Sequence, residues 1–293
     1  NGDYALSFDG TDDYVFSSNI NNDLTNGGSA HFFVKSNQID MNNHGYILSQ
    51  YSYPAGNYSA FEMSIYEGYL NWHIRDNNGG NVVGIFDQIF LADNQWHEVF
   101  LVFDGINNQV KITVDGTTVA SDISNIGSIN TLTPFYLGAQ NHHGNHFNGL
   151  ISSATVWDEV VDINSINDFD NSRILDYRIN EGEGDILYDH SGSQNHGTIF
   201  GGVAWQEIIE GCTDSYADNF NSEATSDDGS CSGYPDNGEY SLSFDGIDDY
   251  VDLGNSSDFD FSNSSFSLTC WVNINSNSWY NNIISKSDDG DKG

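Results

Sequence analysis

The sequence predicts an all-β protein folded as a sandwich of two sheets. Before residue 158, twelve short runs of β-branched and aromatic residues, from YALSF to FNGLISSATVW, are separated by turn residues. The chain is also rich in Asn, Ser, Gly and Tyr, which suits strands joined by polar turns. In addition, NGDYALSFDGTDDYV at residues 1–15 returns at 237–251 as NGEYSLSFDGIDDYV with twelve identical positions, which indicates two copies of one folding unit.

Particular segments support the individual elements. The run WHEVFLVFD at 96–104 is apolar at both alternating sets of positions, which predicts a strand in the middle of the core. After the twelve runs, the apolar spacing within residues 158–169 predicts a short amphipathic helix that braces the edge of the sandwich. Tight hairpin turns are predicted at four acidic residue–glycine pairs: Asp9-Gly10, Glu67-Gly68, Asp104-Gly105 and Asp115-Gly116.

The charge of the chain restricts its partners. It has 43 acidic and 7 scattered basic residues, so a polyanion such as nucleic acid would be repelled. A divalent cation held by carboxylates would offset this charge, and a plain solvated acidic surface is the alternative. No stretch approaches ~18 consecutive apolar residues, so no membrane span is expected.

The three cysteines suggest an oxidising, extracellular location. Cys212 and Cys231 bracket a short polar loop, and we expect a disulfide to close it. Cys270 lies in the alternating segment FSLTCWVNI and is expected to be a small buried core residue on a strand.

Six segments in order resemble the laminin-G-like, concanavalin-A-like jelly-roll domain of secreted bacterial proteins. They are SFDGTDDYV, ILSQ, NQWHEVFLVFDG, VKITVDGTTVAS, PFYLGAQNH and FNGLISSATVWDEVV. The resemblance covers roughly residues 4–166. It implies a sandwich of two antiparallel sheets, usually with calcium and often with carbohydrate or protein ligands.

Two further resemblances divide the remaining chain. ILDYRINEGEGDILYDHSGSQNHGTIFGGVAWQ is similar to an accessory segment of such proteins and implies two to four extra strands. GCTDSYADNFNSEATSDDGSC resembles the Cys-bounded linker repeat of large secreted surface proteins, or adhesins, of Bacteroidota-type bacteria. The expected domains are a jelly roll at 1–170, accessory strands at 171–208, a disulfide-closed loop at 209–233 and the first part of a second, incomplete jelly roll at 237–293.

Two groups of oxygen ligands are candidate calcium sites. In the turn after the first run they are Asp9, Asp12 and Asp13, which could share a cation; alternatively Asp9 and Gly10 only form the turn and the other two are solvated. The second group, which could instead belong to an acidic linker without an ion, lies in the Cys loop: Asp214, Asp218, Asn219, Asn221, Asp227 and Asp228.

A candidate ligand surface combines aromatic rings, which stack on sugars, with side chains that bond to hydroxyls. It comprises Tyr51, Tyr53, Tyr58, Trp72, His73, Arg75, Gln140, Asn141, His142, His143 and His146. The alternative for Trp72 and His73 is an ordinary strand that alternates between core and solvent. The HHGNH loop could bind a transition metal, but its spacing is not that of a zinc site.

Catalytic motifs are not apparent in the sequence. It has no nucleophile elbow, phosphate-binding glycine loop or HExxH pair, and its closest acidic triplet, Asp158, Glu159 and Asp162, falls at the end of the sandwich. We therefore expect a non-catalytic, calcium-stabilised repeat of an extracellular adhesin or surface-fibre protein that binds glycans or proteins. The alternatives are a carbohydrate-binding module of a secreted polysaccharide-degrading enzyme, and a filament subunit that associates with itself through the second repeat.

Overall fold

Two eight-stranded sheets form the sandwich in a computed structural model of the chain. The structure describes residues 3–39, 44–52, 59–76, 82–122, 129–140, 145–233, 241–245, 247, 249–253, 267–274 and 282–285. The chain divides into two units, residues 1–236 and 237–293, and the strands that the described residues form all lie in the first. The predicted all-β sandwich is confirmed.

Sheet A has the strand order β10-β9-β8-β3-β12-β1-β16, and β13 also pairs with β12. Its strands are β1 (Tyr4–Asp9), β3 (Gly28–Lys35), β8 (Trp96–Asp104), β9 (Gln109–Val114), β10 (Thr117–Asp122), β12 (Asn148–Trp157), β13 (Arg173–Tyr177) and β16 (Ala204–Glu207). The twice-apolar strand β8 lies inside this sheet between β3 and β9, and its residues Val99–Phe103 are all buried.

Sheet B has the strand order β14-β15-β2-β11-β4-β5-β6-β7. Its strands are β2 (Tyr14–Asp23), β4 (Gly45–Ser52), β5 (Ser59–Tyr66), β6 (Tyr69–Arg75), β7 (Val82–Phe90), β11 (Asn130–Leu137), β14 (Ile186–Leu187) and β15 (Gly197–Phe200). The main core lies between the two sheets and includes Phe8, Phe32, Phe61, Trp72 and Phe103.

Three of the four predicted hairpins are present. Glu67-Gly68 and Asp115-Gly116 are two-residue turns with positive φ at both positions, the geometry that suits twisted strands. Asp104-Gly105 begins a longer hairpin in which Asp104 pairs with Gln109. The prediction for Asp9-Gly10 was wrong, because β1 belongs to sheet A and β2 to sheet B, so this turn carries the chain between the sheets.

The predicted helix at 158–169 is replaced by a 3₁₀ helix at Ile163–Ser172. It starts later because Asp162 is extended and its side chain accepts the backbone N–H of Asn164, which caps the helix. Just before it, Val161 packs with Phe100 and Trp157 on the outer face of sheet A. The segment thus braces the outer face of sheet A, whereas the sequence predicted that it braces the edge of the sandwich.

The accessory segment completes both sheets with β13 to β16, in agreement with the predicted two to four strands. Its loop is organised by the buried Asp189 carboxylate, which accepts hydrogen bonds from the backbone N–H groups of Asp176, Ser191 and Asn195 and from the Ser191 hydroxyl. The Asn195 carbonyl in turn accepts the hydroxyl of Ser17 on β2. The segment is therefore part of the sandwich.

The Cys212–Cys231 disulfide is present and closes the loop after β16. Within the loop, β17 (Glu210–Gly211) and β18 (Ser226–Asp227) form a short parallel pair. Lys35 on β3 donates to the Thr225 carbonyl at 3.4 Å, which ties the loop to sheet A.

One expectation for the second unit, the burial of Cys270 on a strand, is contradicted by the structure. No described residue of 237–293 lies in a strand, and Cys270 is exposed, so its expected burial on a strand was wrong. A strand needs a partner for its backbone N–H and C=O groups, and the described residues of this unit supply none. No helix in the described part of the chain has the length and apolar character to cross a membrane.

Candidate functional site

A cavity of about 310 Å³ opens on the face of sheet B that points away from the core. Strands β4 to β7 supply most of its wall. The lining residues are His44, Tyr46, Tyr51, Glu62, Asn71, His73, Arg75, Phe86 and Gln140. Aromatic rings and hydrogen-bonding groups therefore share one site.

Alternation along β5 and β6 explains this lining. Successive side chains of a strand point to opposite faces, so one set enters the core and the other faces the cavity. On β6 the set that packs in the hydrophobic core is Leu70, Trp72 and Ile74. The cavity set on the same strand is Asn71, His73 and Arg75.

Glu62 is the centre of the hydrogen-bond network in the cavity. It is only 1% exposed, and its carboxylate accepts hydrogen bonds from the Ser49 hydroxyl at 2.7 Å and from Gln140 Nε2 at 2.8 Å. His73 Nε2 lies 2.8 Å from its second oxygen. Burial by itself would raise the pKa of Glu62, but the contact with His73 and the other hydrogen bonds outweigh burial and lower it. Glu62 is thus held as a carboxylate.

Aromatic rings surround this network. The ring of Phe86 stacks on His73 with centroids 6.2 Å apart, and Phe86 is 42% exposed. His44 stacks on Tyr66 at 4.5 Å, and burial followed by the charge of His73 lowers its pKa, which favours the neutral ring. Desolvation likewise raises the pKa of Tyr46, so its hydroxyl stays protonated. His44 and Tyr46 therefore offer neutral polar groups beside the aromatic rings of the cavity.

The structure brings only part of the predicted ligand surface together. Tyr51, His73, Arg75 and Gln140 line the cavity. Trp72 was wrong as a ligand residue, because it is 0% exposed and packs on Phe61 in the core. The alternation proposed for Trp72 and His73 is confirmed.

The remaining predicted ligand residues are elsewhere or undescribed. His146 lies outside the cavity, where its Nδ1 is 3.2 Å from the Asp13 carbonyl. Five predicted residues fall outside the described part of the chain: Tyr53, Tyr58, Asn141, His142 and His143.

Sequence reasoning missed five lining residues: His44, Tyr46, Glu62, Asn71 and Phe86. For Glu62 and Asn71 a signal existed, since each alternates with buried apolar residues in FEMSIY and YLNWHIR. The other three come from different segments that meet only in the folded sheet.

The turn after β1 brings Asp9, Asp12 and Asp13 together, with one carboxylate oxygen of each within 4.8 Å of the others. Asp13 is buried and accepts the Asp9 N–H at 2.8 Å. Desolvation, with the like charges of its two neighbours, raises the pKa of Asp13. A Cβ on Gly201 would collide with the Asp12 carbonyl, so the turn after β15 closes tightly over this group. Three hard, mutually repelling oxygen ligands fit a divalent cation such as calcium.

The carboxylates of the Cys loop do not converge in this way. Among the described residues, the Asp9, Asp12 and Asp13 group alone unites three acidic, His or Cys side chains at such distances. Each loop side chain instead bonds to a nearby backbone N–H: Asp214 to Tyr216, Asn219 to Ser232, Asn221 to Glu223, Asp227 to Gly229 and Asp228 to Ser230. Asp218, the remaining predicted ligand, packs against Gly233. These are turn-forming roles.

Comparisons with known proteins agree with this architecture. The laminin-G-type sequence profile of the concanavalin A-like lectin/glucanases superfamily matches residues 9–167. No curated protein shows significant sequence similarity to the chain.

Solved structures with this fold include a candidate carbohydrate-binding protein from Bacteroides ovatus, with a TM-score of 0.51 and 17% identity over 70% of this chain. The match spans 59% of that protein's own length. The SAP-like pentraxin of Limulus polyphemus has a TM-score of 0.48 and 16% identity, covering 70% of this chain and 95% of the pentraxin. At 17% identity, the likeness to the Bacteroides ovatus protein shows the fold alone. Because the profile spans more than half of the 293 residues, the chain belongs to the concanavalin A-like lectin/glucanases superfamily, as a laminin-G-like member.

Proposed function

We propose that this chain is a non-catalytic glycan-binding module whose binding site is the cavity on sheet B. The observation that carries the proposal is the lining itself, in which Tyr51 and Phe86 lie beside the polar groups of Asn71, His73 and Gln140. A sugar ring presents C–H groups on its faces and hydroxyls at its edge. Aromatic faces and fixed hydrogen-bonding groups are complementary to these two surfaces.

Binding accounts for the cavity better than glycoside hydrolysis. A two-carboxylate mechanism needs a pair of carboxyl groups about 5 to 10 Å apart. Glu62 is the one carboxylate among the described lining residues, and three neighbouring side chains already bond to it. It therefore organises the site, since it fixes the rotamers of Ser49, His73 and Gln140.

The wider setting we propose is an extracellular, calcium-stabilised repeat of an adhesin-like protein with glycan or protein partners. The disulfide and the recurrence of residues 1–15 at 237–251 support it. Calcium would bind at Asp9, Asp12 and Asp13, far along the chain from the cavity residues, and would offset their mutual repulsion.

The test is a glycan array with the full chain, followed by Phe86→Ala in the cavity and Phe90→Ala as its control. Both residues lie on β7 with similar exposure, 42% and 46%, but only Phe86 lines the cavity. We expect Phe86→Ala to weaken glycan binding about tenfold, since a stacking face is lost, and Phe90→Ala to leave it unchanged. Equal losses in both variants, or an array without bound glycans, would refute the proposal.

A further inference from the structure

Among the residues that the structure describes, none forms an ion pair with Arg75, although the chain is strongly acidic. Arg173 and Arg178 both contact the Asp176 carboxylate, at 3.3 and 3.1 Å. Arg75 makes no such contact with any residue that the structure describes, although acidic residues outnumber basic ones 43 to 7. Its Nε is buried and has no hydrogen-bond partner in the described part of the chain. A buried donor without a hydrogen-bond partner costs free energy, so a ligand that supplies an acceptor there would bind more favourably.

The Arg75 side chain lies in the wall of the cavity. Arg75 lies two residues after His73 on the same face of β6, a separation of about 7 Å along a strand. The nearest carboxylate in the lining, Glu62, is occupied by Ser49, His73 and Gln140. The charge of Glu62 is thus compensated without Arg75, and the guanidinium remains available.

We propose that the cavity selects an acidic sugar, whose carboxylate or sulfate group pairs with Arg75. This inference rests on the proposed glycan-binding function and specifies its ligand class. The planar guanidinium presents its N–H donors as a fork that matches two oxygens of one anionic group. Phe86, which is 42% exposed, supplies an aromatic surface in the cavity for the sugar ring.

The net charge of −36 does not oppose a ligand of this kind. Charges farther away than about 8 Å are largely screened at physiological ionic strength. A densely charged polyanion would meet many acidic residues at once, whereas one acidic group inside the cavity lies beside Arg75. We therefore expect selectivity for isolated acidic sugars within a glycan.

The experiment measures the Kd of the full chain for three oligosaccharides with one backbone: neutral, uronate-bearing and sulfated. We expect at least one acidic form to bind about tenfold more tightly than the neutral form, with a preference that shrinks as salt is added. The uronate and sulfate arms show which anionic group is recognised. Arg75→Gln should abolish the preference, and Arg75→Lys should retain part of it, because the charge remains but the fork is lost.

The control variant is Lys111→Gln, which removes the same charge from β9 of sheet A, outside the cavity. It should keep the full preference, and thermal unfolding should confirm that all variants fold. If the neutral form binds as tightly as both acidic forms, the acidic-sugar inference is wrong while glycan binding stands. If no glycan binds to the wild-type chain, both proposals fail together.

Discussion

Residues 4–15 and 240–251 are nearly the same sequence in two different environments, and two hydrogen bonds of the first copy recur among the described residues of the second. In the first copy the Asp13 carboxylate accepts the Asp9 N–H at 2.8 Å, and in the second Asp249 accepts the Asp245 N–H at 2.8 Å. The next hydrogen bond is repeated too, from Thr11 to Asp9 at 2.7 Å and from Ile247 to Asp245 at 2.8 Å. The turn is therefore encoded by its own few residues.

The two copies differ in burial and in strand pairing, which both require contacts with other segments. Phe8 is 2% exposed and its equivalent Phe244 is 55% exposed. The first copy forms β1, which hydrogen-bonds to β12 and β16, whereas the described residues of the second copy form no strand. Strand formation and burial are thus consequences of distant segments, and the local sequence only permits them.

The largest expected effect comes from truncating the same side chain in each copy. Phe8→Ala should lower the free energy of unfolding by about 3–5 kcal/mol, because it leaves a cavity beside Phe147, whose ring centroid is 6.0 Å away. Phe244→Ala should change it by less than about 0.5 kcal/mol. Urea unfolding of the full chain, followed by tryptophan fluorescence, measures both. Equal losses would show that the second copy is buried by partners of its own.

Asp189→Ala tests the segment that gives the first copy its neighbours. Asp189 orders the loop between β14 and β15, and the same segment supplies β16, which pairs with β1. The variant leaves four donors without their acceptor, and we expect a loss of about 2–4 kcal/mol in the same unfolding assay. Asp185→Asn, an exposed site in the segment, is the matched control and should be close to neutral. A similar loss in the control would refute the role of Asp189.

Calcium should also distinguish the copies. At about 100 times its Kd, calcium bound only to the folded state should add roughly 2.7 kcal/mol of stability, and Asp13→Asn should remove this gain. Asp249→Asn, the equivalent change in the second copy, should not. Thermal unfolding with calcium and with a chelator measures the difference. A calcium response that survives Asp13→Asn would refute this site.

When a chelator removes calcium, protonation of Asp13 should stabilise the folded chain. Because folding raises the pKa of Asp13 above its ordinary value of 3.8, the folded state binds the proton more tightly than the unfolded state. Stability should therefore rise as the pH falls through the raised pKa towards 3.8, and Asp13→Asn should flatten this rise. An unchanged pH profile in the variant would contradict the assignment of the proton to Asp13.

Turns and the alternation of side chains along strands could be predicted from the sequence, because both depend on neighbouring residues. Glu67-Gly68 formed its hairpin because the turn lies between two strands that pair with each other. Asp9-Gly10 has the same chemistry but joins two sheets, since β1 and β2 have other partners, and no local signal reveals that. Likewise, alternation could have placed Glu62 in the cavity, but His44 and Phe86 come from other segments that meet it only in the folded sheet. Trp72 was included in the ligand surface with its neighbour His73, although successive residues of a strand point to opposite faces, and the structure buries Trp72 in the core.

The smallest expected effect on stability comes from removing the aspartate that forms the turn in each copy. Asp9→Ala and Asp245→Ala each remove the side-chain acceptor of one turn, for Thr11 and Ile247 respectively. In chelator, the first should cost about 1 kcal/mol, because the turn joins two strands of the folded sandwich, and the second should cost nothing measurable. Amide chemical shifts should nevertheless report the loss of the turn hydrogen bond at both Thr11 and Ile247. If instead Ile247 shows no change, the second turn is not formed in solution, and even this local structure depends on the strands that follow it.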